Sequence, residues 1–279
     1  GAHFLDGQDQ PVLMVEARGV LARRRFHRAK AQLVLSAMRH RAAELGDQCT
    51  YVRTDSYGEA LDDIVEPLSV CHPTSHAALR FVQGRGDIEV MPTRGFATST
   101  DDFARWVRSR GRQRLLMEDF YRDARRRLGI LMDGAEPAGG RWNYDADNRE
   151  PAPRSASLGV PEPQWPTEDE IDAEVRHDLD RWERAGHVTF LGSGGPRRFA
   201  CTREEALAGL DDCITHRLAG LGPRGDATLS ADQARAHALV SAPRNAGRRA
   251  PLAATAPDRG AARPDADTPG AGEGGRRRA

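Results

Sequence analysis

The sequence predicts an α/β fold, a mostly parallel sheet layered with helices, followed by an α-helical segment. Three observations carry this. Short β-rich runs and helical patterns alternate from Pro11 to Met91. The first run, Pro11–Glu16, is continuously apolar up to its last residue, the pattern of a strand buried on both faces. From Thr98 onward, apolar residues recur at helical spacing.

The elements follow in order. Pro11–Glu16 is the first strand. From about Arg25 to Leu45 the apolar positions Phe26, Ala29, Leu33, Ala37 and Leu45 keep to one helical face, and Gly46 is suited to the stop. Cys49–Thr54, Leu68–Cys71 and Ile88–Met91 are the next strands, with a helix entered through Pro73–Ser75 and running to Val82. Ser99 caps a helix through Val107, and Leu116, Phe120, Ala124 and Leu128 line a longer one. A Gly-, Pro- and Asn-rich stretch spans 133–166. Two capping boxes, Thr167 with Glu170 and Thr202 with Glu205, restart the helices.

One component is missing from this plan. In open α/β sheets the first strand lies mid-sheet and carries the ligand loop at its C-terminal end. Here the chain opens Gly1-Ala2-His3-Phe4-Leu5-Asp6-Gly7, which reads as a loop. The expected organisation is an α/β domain over 1–97 without its innermost strand, helices and linker over 98–166, and a helical region over 167–224. The tail, 225–279, is expected to be mostly disordered, because from Ala242 on its one large aliphatic residue is Leu252.

Composition narrows the function classes. Lys and Arg number 41 against 41 Asp and Glu, so the whole-chain charge gives no pull toward nucleic acid. No apolar run approaches the roughly 18 residues of a membrane span, and no signal peptide opens the chain, which reads as cytoplasmic. Cys49, Cys71, Cys201 and Cys213 have neither CxxC spacing nor zinc-finger histidines, and scattered cytosolic thiols act as small hydrophobes.

No hydrolase, P-loop or dinucleotide motif is present. Gly192-Ser193-Gly194-Gly195 has the composition of a phosphate cradle, but the following Pro196-Arg197-Arg198 does not start a helix, and it reads as a turn. Arg23, Arg24, Arg25, His27, Arg28 and Lys30 crowd the start of the first helix, where cations oppose the macrodipole. They need either an anionic ligand or neighbouring carboxylates. A second cluster, between Trp106 and Leu128, sets eight arginines against three carboxylates, with Arg122, Arg125 and Arg126 as the candidates to face DNA phosphates. Trp142-Asn143-Tyr144-Asp145 and Asp147-Asn148-Arg149 form either an interdomain clamp or a binding surface.

Met117-Glu118-Asp119-Phe120-Tyr121-Arg122, Leu131-Met132-Asp133-Gly134, Gly139-Gly140-Arg141-Trp142-Asn143-Tyr144-Asp145 and Asn148-Arg149 resemble a family signature. So does Ser36-Ala37-Met38-Arg39-His40. It is the signature of the cryptochrome/photolyase family, in its deoxyribodipyrimidine photolyase-related branch of bacterial iron–sulfur (6-4) photolyases. The likeness runs in order from about Phe4 to Gly222.

The resemblance implies a flavodoxin-like (Rossmann-type) antenna domain, a linker, and a helical domain holding FAD and a [4Fe–4S] cluster. A ribityllumazine antenna would collect light, and reduced FAD would pass an electron to UV-damaged DNA. It also implies that the cluster ligands and flavin site lie beyond this stretch, which makes the chain a truncated relative that holds no cofactor and repairs nothing by itself. For a surviving antenna pocket the candidates are Glu16, at the end of a strand, with His27, Lys30 and Ser36 on the next helix. No catalytic residue and no metal ligand is expected. The alternatives are a small-pigment binding module and a DNA-binding or interaction protein that uses the Arg-rich helix.

Overall fold

A computed structural model describes residues 4–5, 9–145, 160–218 and 239–248 of the 279-residue chain. The chain is mixed α/β, with small parallel sheets between helices. β1 (Val12–Ala17) leads through a helical turn, α1 (Gly19–Ala22), and a two-residue strand, β2 (Phe26–His27), to the 18-residue α2 (Arg28–Leu45). Next come β3 (Cys49–Thr54), α3 (Tyr57–Asp62), β4 (Leu68–Cys71), α4 (His76–Arg85) and β5 (Ile88–Met91). Two antiparallel helices follow, α5 (Thr100–Arg110) and α6 (Met117–Leu128), then a small ladder of β6 (Met132–Asp133) and β7 (Glu136–Pro137). Beyond 160 lie α7 (Glu170–Arg184), β8 (Phe190–Leu191), α8 (Arg203–His216) and a short helix at Ser241–Asn245.

The four main strands fall where continuous apolar runs place them, and they pair in parallel as two separate ribbons. β1 pairs with β3 in the register Val12↔Cys49 to Ala17↔Thr54, and β4 pairs with β5 from Leu68↔Ile88 to Cys71↔Met91. The expected single sheet is therefore not formed by the described residues, because β1 and β4 share no ladder. Contacts between helices hold the ribbons together. Arg85 of α4 reaches Asp62 at 2.7 Å and the Leu61 carbonyl at 3.4 Å, and the Tyr57 and Phe81 rings meet at 6.4 Å.

Side chains fix most helix starts. Ser56 and Ser75 accept from Glu59 N and Ala78 N, both at 3.2 Å, and Ser99 forms a reciprocal capping box with Asp102. Thr202 with Glu205 forms the box expected of it. The other expected box is corrected. α7 is capped by Asp169, which accepts from Ile171 N and Asp172 N, and Asp172 answers it. Glu170 is already the first helical residue, and the Thr167 carbonyl accepts from Arg197 instead.

α2 begins three residues later than its periodicity suggests. Phe26–His27 is extended and pairs in parallel with β8, Phe26↔Phe190 and His27↔Leu191. His27 then caps α2, its Nδ1 accepting from Ala29 N at 3.2 Å. Gly192, at φ +68°, lies against that ring: a Cβ there would come 2.3 Å from His27 Nε2. Only glycine fits this turn.

The hydrophobic core lies between α2 and α7. Ala31 and Leu35 of α2 pack on Val175, Leu179 and Trp182 of α7, with Val188 and Phe190 beside them. The core thus draws on residues from either side of the 98–166 stretch. A second aromatic group, Phe103, Trp106 and Phe120, with centroids 5.2–5.7 Å apart, joins α5 to α6.

Part of the tail is described. Within 225–279 the described residues 239–248 include the Ser241–Asn245 helix, and Arg248 is 2% exposed. Arg248 donates to the Ala37 carbonyl of α2, which anchors a segment too poor in apolar residues to anchor itself. The remainder of that tail, and Asp147-Asn148-Arg149, lie outside the described residues.

Leu179 has no exposed surface and faces the α2 core. Leu179→Ala should therefore lower stability by about 2–5 kcal/mol, measured by chemical denaturation. A loss below about 0.5 kcal/mol, the surface range, would contradict a core at α2–α7.

Candidate functional site

β1 and β3 run parallel, so both present their C-terminal ends at one edge, where open α/β sheets hold ligands. A cleft of about 390 Å³ opens there. Glu16, Arg53 and Thr54 come from the strand ends, and Asp178, Arg181 and Trp182 from α7.

Behind the cleft lies a buried ion network. Glu16 is 3% exposed, and Arg39 of α2 grips it with both arms, Nε to Oε2 at 2.9 Å and Nη2 to Oε1 at 2.7 Å. The same Nη2 reaches Asp178 Oδ2 at 2.7 Å, and Nη1 approaches Glu174 at 3.5 Å. Tyr51 of β3 donates its hydroxyl to Glu16 Oε2 at 2.5 Å. Burial works against the Arg39 charge, but the hydrogen bonds it donates to Glu16 and Asp178 more than offset this and hold its pKa above the usual guanidinium range. Burial, and then the bond to Glu16, push the Tyr51 phenol up and keep it a donor.

Toward solvent, Arg53 pairs with Glu174 at 2.9 Å, Arg181 with Asp178 at 2.6 Å, and Arg18 with Asp55 at 2.6 Å. Every cation at the cleft has a carboxylate. The wall offers directed donors and acceptors beside Trp182 and no unpaired cation.

Of the four candidate pocket residues, Glu16 lies in this cleft, while His27, Lys30 and Ser36 do not line it. His27 faces the Gly192 turn, and the Lys30 ammonium lies 5.8 Å from the Phe26 ring. Ser36 is fully buried, with no partner for its hydroxyl among the described residues. The basic cluster at the start of α2 finds carboxylates: Arg28 binds Glu183 at 2.7 Å and also Asp180. Sequence reasoning misses Tyr51 and Asp178, and it marks Arg39 only within the Ser36–His40 family motif. Asp178 is 139 residues from Arg39, and no local pattern links them.

The candidate DNA-facing residues all gather on one ring. The guanidinium carbons of Arg122, Arg125 and Arg126 lie 5.7, 5.2 and 4.6 Å from the Trp142 centroid. Arg125 is nonetheless 7% exposed and donates to the Ile130 and Leu131 carbonyls, so it is withdrawn from any outward role. Arg122 pairs with Glu118 at 3.1 Å, and Arg126 stays exposed. Trp142 is therefore clamped to α6, and Tyr144 is tied back to the Gly139 carbonyl at 2.9 Å.

His40, Asp172 and Cys201 place ligand-type atoms within 4.8 Å of one another. Asp172, however, is held by Arg197 Nε at 3.1 and 3.2 Å, and burial pushes the Cys201 thiol up to about 12. The His40 ring ties α2 to the start of α7, Nδ1 to the Ser36 carbonyl at 2.8 Å and Nε2 to Asp169 at 3.0 Å. A cation would have to displace a buried arginine, so these groups serve packing. Among the described residues no four cysteines converge as a [4Fe–4S] cluster requires, and no helix is long and apolar enough to cross a membrane.

Residues 2–188 match the family described as deoxyribodipyrimidine photo-lyase-related protein. A (6-4) photolyase of Agrobacterium fabrum (strain C58 / ATCC 33970) is 33% identical over 262 residues, which cover 85% of this chain and 50% of the relative. The chain spans about half the length of that curated relative. With two thirds of its length matched in one run, from before β1 through α7, the chain belongs to the deoxyribodipyrimidine photo-lyase-related family.

Proposed function

We propose that this chain is the light-collecting portion of a cytoplasmic photolyase-type protein, and that the Glu16 cleft holds a small pigment of ribityllumazine type. The single observation that carries the reading is the cleft itself. It lies at the C-terminal ends of two parallel strands, has in its wall Glu16, held from behind by Arg39 and Tyr51, and is lined by Trp182. Two parallel ribbons joined through helices support a flavodoxin-like (Rossmann-type) layer around it. A flat ring would lie along Trp182, and hydroxyls would bond to Thr54 and the rim arginines.

In the whole protein, FAD would supply the light-driven electron and a [4Fe–4S] cluster would accompany it, with UV-damaged DNA as partner. The relative's name gives photolyase activity to a protein about twice the span matched here. We assign the repair chemistry to the whole protein and expect none from these residues by themselves.

Fluorescence titration with 6,7-dimethyl-8-ribityllumazine tests the pigment site. The chain should bind it, and Glu16→Gln should weaken binding about tenfold, the worth of roughly 1.4 kcal/mol of hydrogen bonding. Unaltered affinity in a folded Glu16→Gln chain would remove the cleft from consideration.

A second reading, contact with DNA through the α5–α6 hairpin, is favoured by one observation. Arg108, Arg112, Arg114 and Arg126 are exposed, with no carboxylate in salt-bridge range among the described residues. If they meet phosphates, replacing all four by Gln should flatten the salt dependence of DNA binding by roughly 0.9 in log–log slope for each phosphate no longer neutralised. An unchanged slope would exclude the hairpin.

A further inference from the structure

Open α/β sheets receive the phosphates of their ligands on backbone N–H groups, in the loops that leave the C-terminal ends of the strands. At the Glu16 cleft both such loops turn donors of this kind onto the protein itself. After β1, Arg18 N donates to the Thr54 carbonyl and Gly19 N to the Asp55 carbonyl, each at 2.9 Å. The seam is tight: a Cβ on Gly19 would come 2.4 Å from the Asp55 oxygen. After β3, Asp55 N donates to Glu59 Oε2 and Glu59 N to Ser56 Oγ, both at 3.2 Å. The Thr54 hydroxyl also gives its hydrogen to Glu59 Oε2, at 2.5 Å, and so meets the cleft as an acceptor.

Charge acts in the same direction. The lining sets Glu16, Asp55, Glu59 and Asp178 against Arg18, Arg53 and Arg181, one more carboxylate than guanidinium. Hydrogen bonds, that of the Thr54 hydroxyl foremost, hold the Glu59 carboxyl below the usual carboxylate range. Each guanidinium is matched: Arg18 by Asp55, Arg181 by Asp178, and Arg53 by Glu174 just outside the lining. Arg23, Arg24 and Arg25, which follow α1, do not line the cleft. A phosphate would therefore find its backbone cradle occupied and an excess of negative charge around it. Hydroxyl groups would find acceptors in Thr54 Oγ1 and in Glu16 Oε1, which takes a single hydrogen bond, from Arg39 Nη2, among the described residues.

We propose, resting on the pigment reading above, that the cleft selects its ligand by the end group of the side chain. It takes the free polyol of a ring-bearing ligand and rejects the phosphate ester of the same ligand, and Asp55 and Glu59 are the residues that set this choice. Both act at the rim, Glu59 by holding the Thr54 hydroxyl and the Asp55 N–H, and Asp55 by occupying Arg18.

Paired fluorescence titrations of the full chain at about pH 8, above the second phosphate pKa of about 6, measure the selection directly. The pairs are 6,7-dimethyl-8-ribityllumazine with its 5′-phosphate, and riboflavin with riboflavin 5′-phosphate. In low salt each free polyol should bind at least about tenfold more tightly than its ester. In about 1 M sodium chloride, where the screening length falls to about 3 Å, that ratio should narrow at least about threefold. Asp55→Asn combined with Glu59→Gln keeps the acceptor oxygens, removes both charges, and should narrow the ratio mainly by tightening the ester. An ester that binds the unaltered chain as tightly as its free polyol, or a ratio that neither salt nor the double variant moves, would overturn the selection and leave the pigment site standing. Failure of both free polyols to bind would instead remove the pigment site, and the selection with it.

Discussion

Arg39 is 4% exposed in its side chain and lies between two buried carboxylates, Glu16 at 2% and Asp178 at 7%. Removing either side of this arrangement would leave an uncompensated charge in the interior. The three residues belong to α2, β1 and α7, and the hydrogen bonds that join them span up to 139 residues. The network therefore specifies how the first α/β layer sits on the later helix. Apolar packing of Leu35 on Leu179 and Trp182 supplies the bulk of the attraction, and the charges select one register of the two helices.

The same constraint shapes the cleft. Glu16 and Tyr51 have spent most of their hydrogen-bonding capacity inward, so a ligand there would meet a preset wall and a rim of paired charges.

Much of the first layer was legible in the sequence. Val12–Ala17, Cys49–Thr54, Leu68–Cys71 and Ile88–Met91 form strands within a residue or so of their apolar runs. Ser99 and Thr202 cap helices because hydroxyl-to-carboxylate spacing is a local property. What escaped was non-local. β2 and β8 are two residues each and exist only through each other, and Asp169 displaced Thr167 as a cap while the Thr167 carbonyl served Arg197. Glu16 was visible as a charge ending an apolar strand, but its partners were not, and Arg125 belongs to the interior although its neighbours in an arginine run do not. Charge runs in a sequence do not say which members fold inward.

The account depends on Glu16 and Asp178 acting through one shared guanidinium. A double-mutant cycle with Glu16→Gln and Asp178→Asn, followed by urea denaturation of the wild-type chain, both single variants and the pair, measures that dependence. Each single change should destabilise, and the pair should depart from additivity by about 0.5–3 kcal/mol. Effects that add to within about 0.3 kcal/mol would mean that the two acids are independent, and that Arg39 does not join the α/β layer to α7.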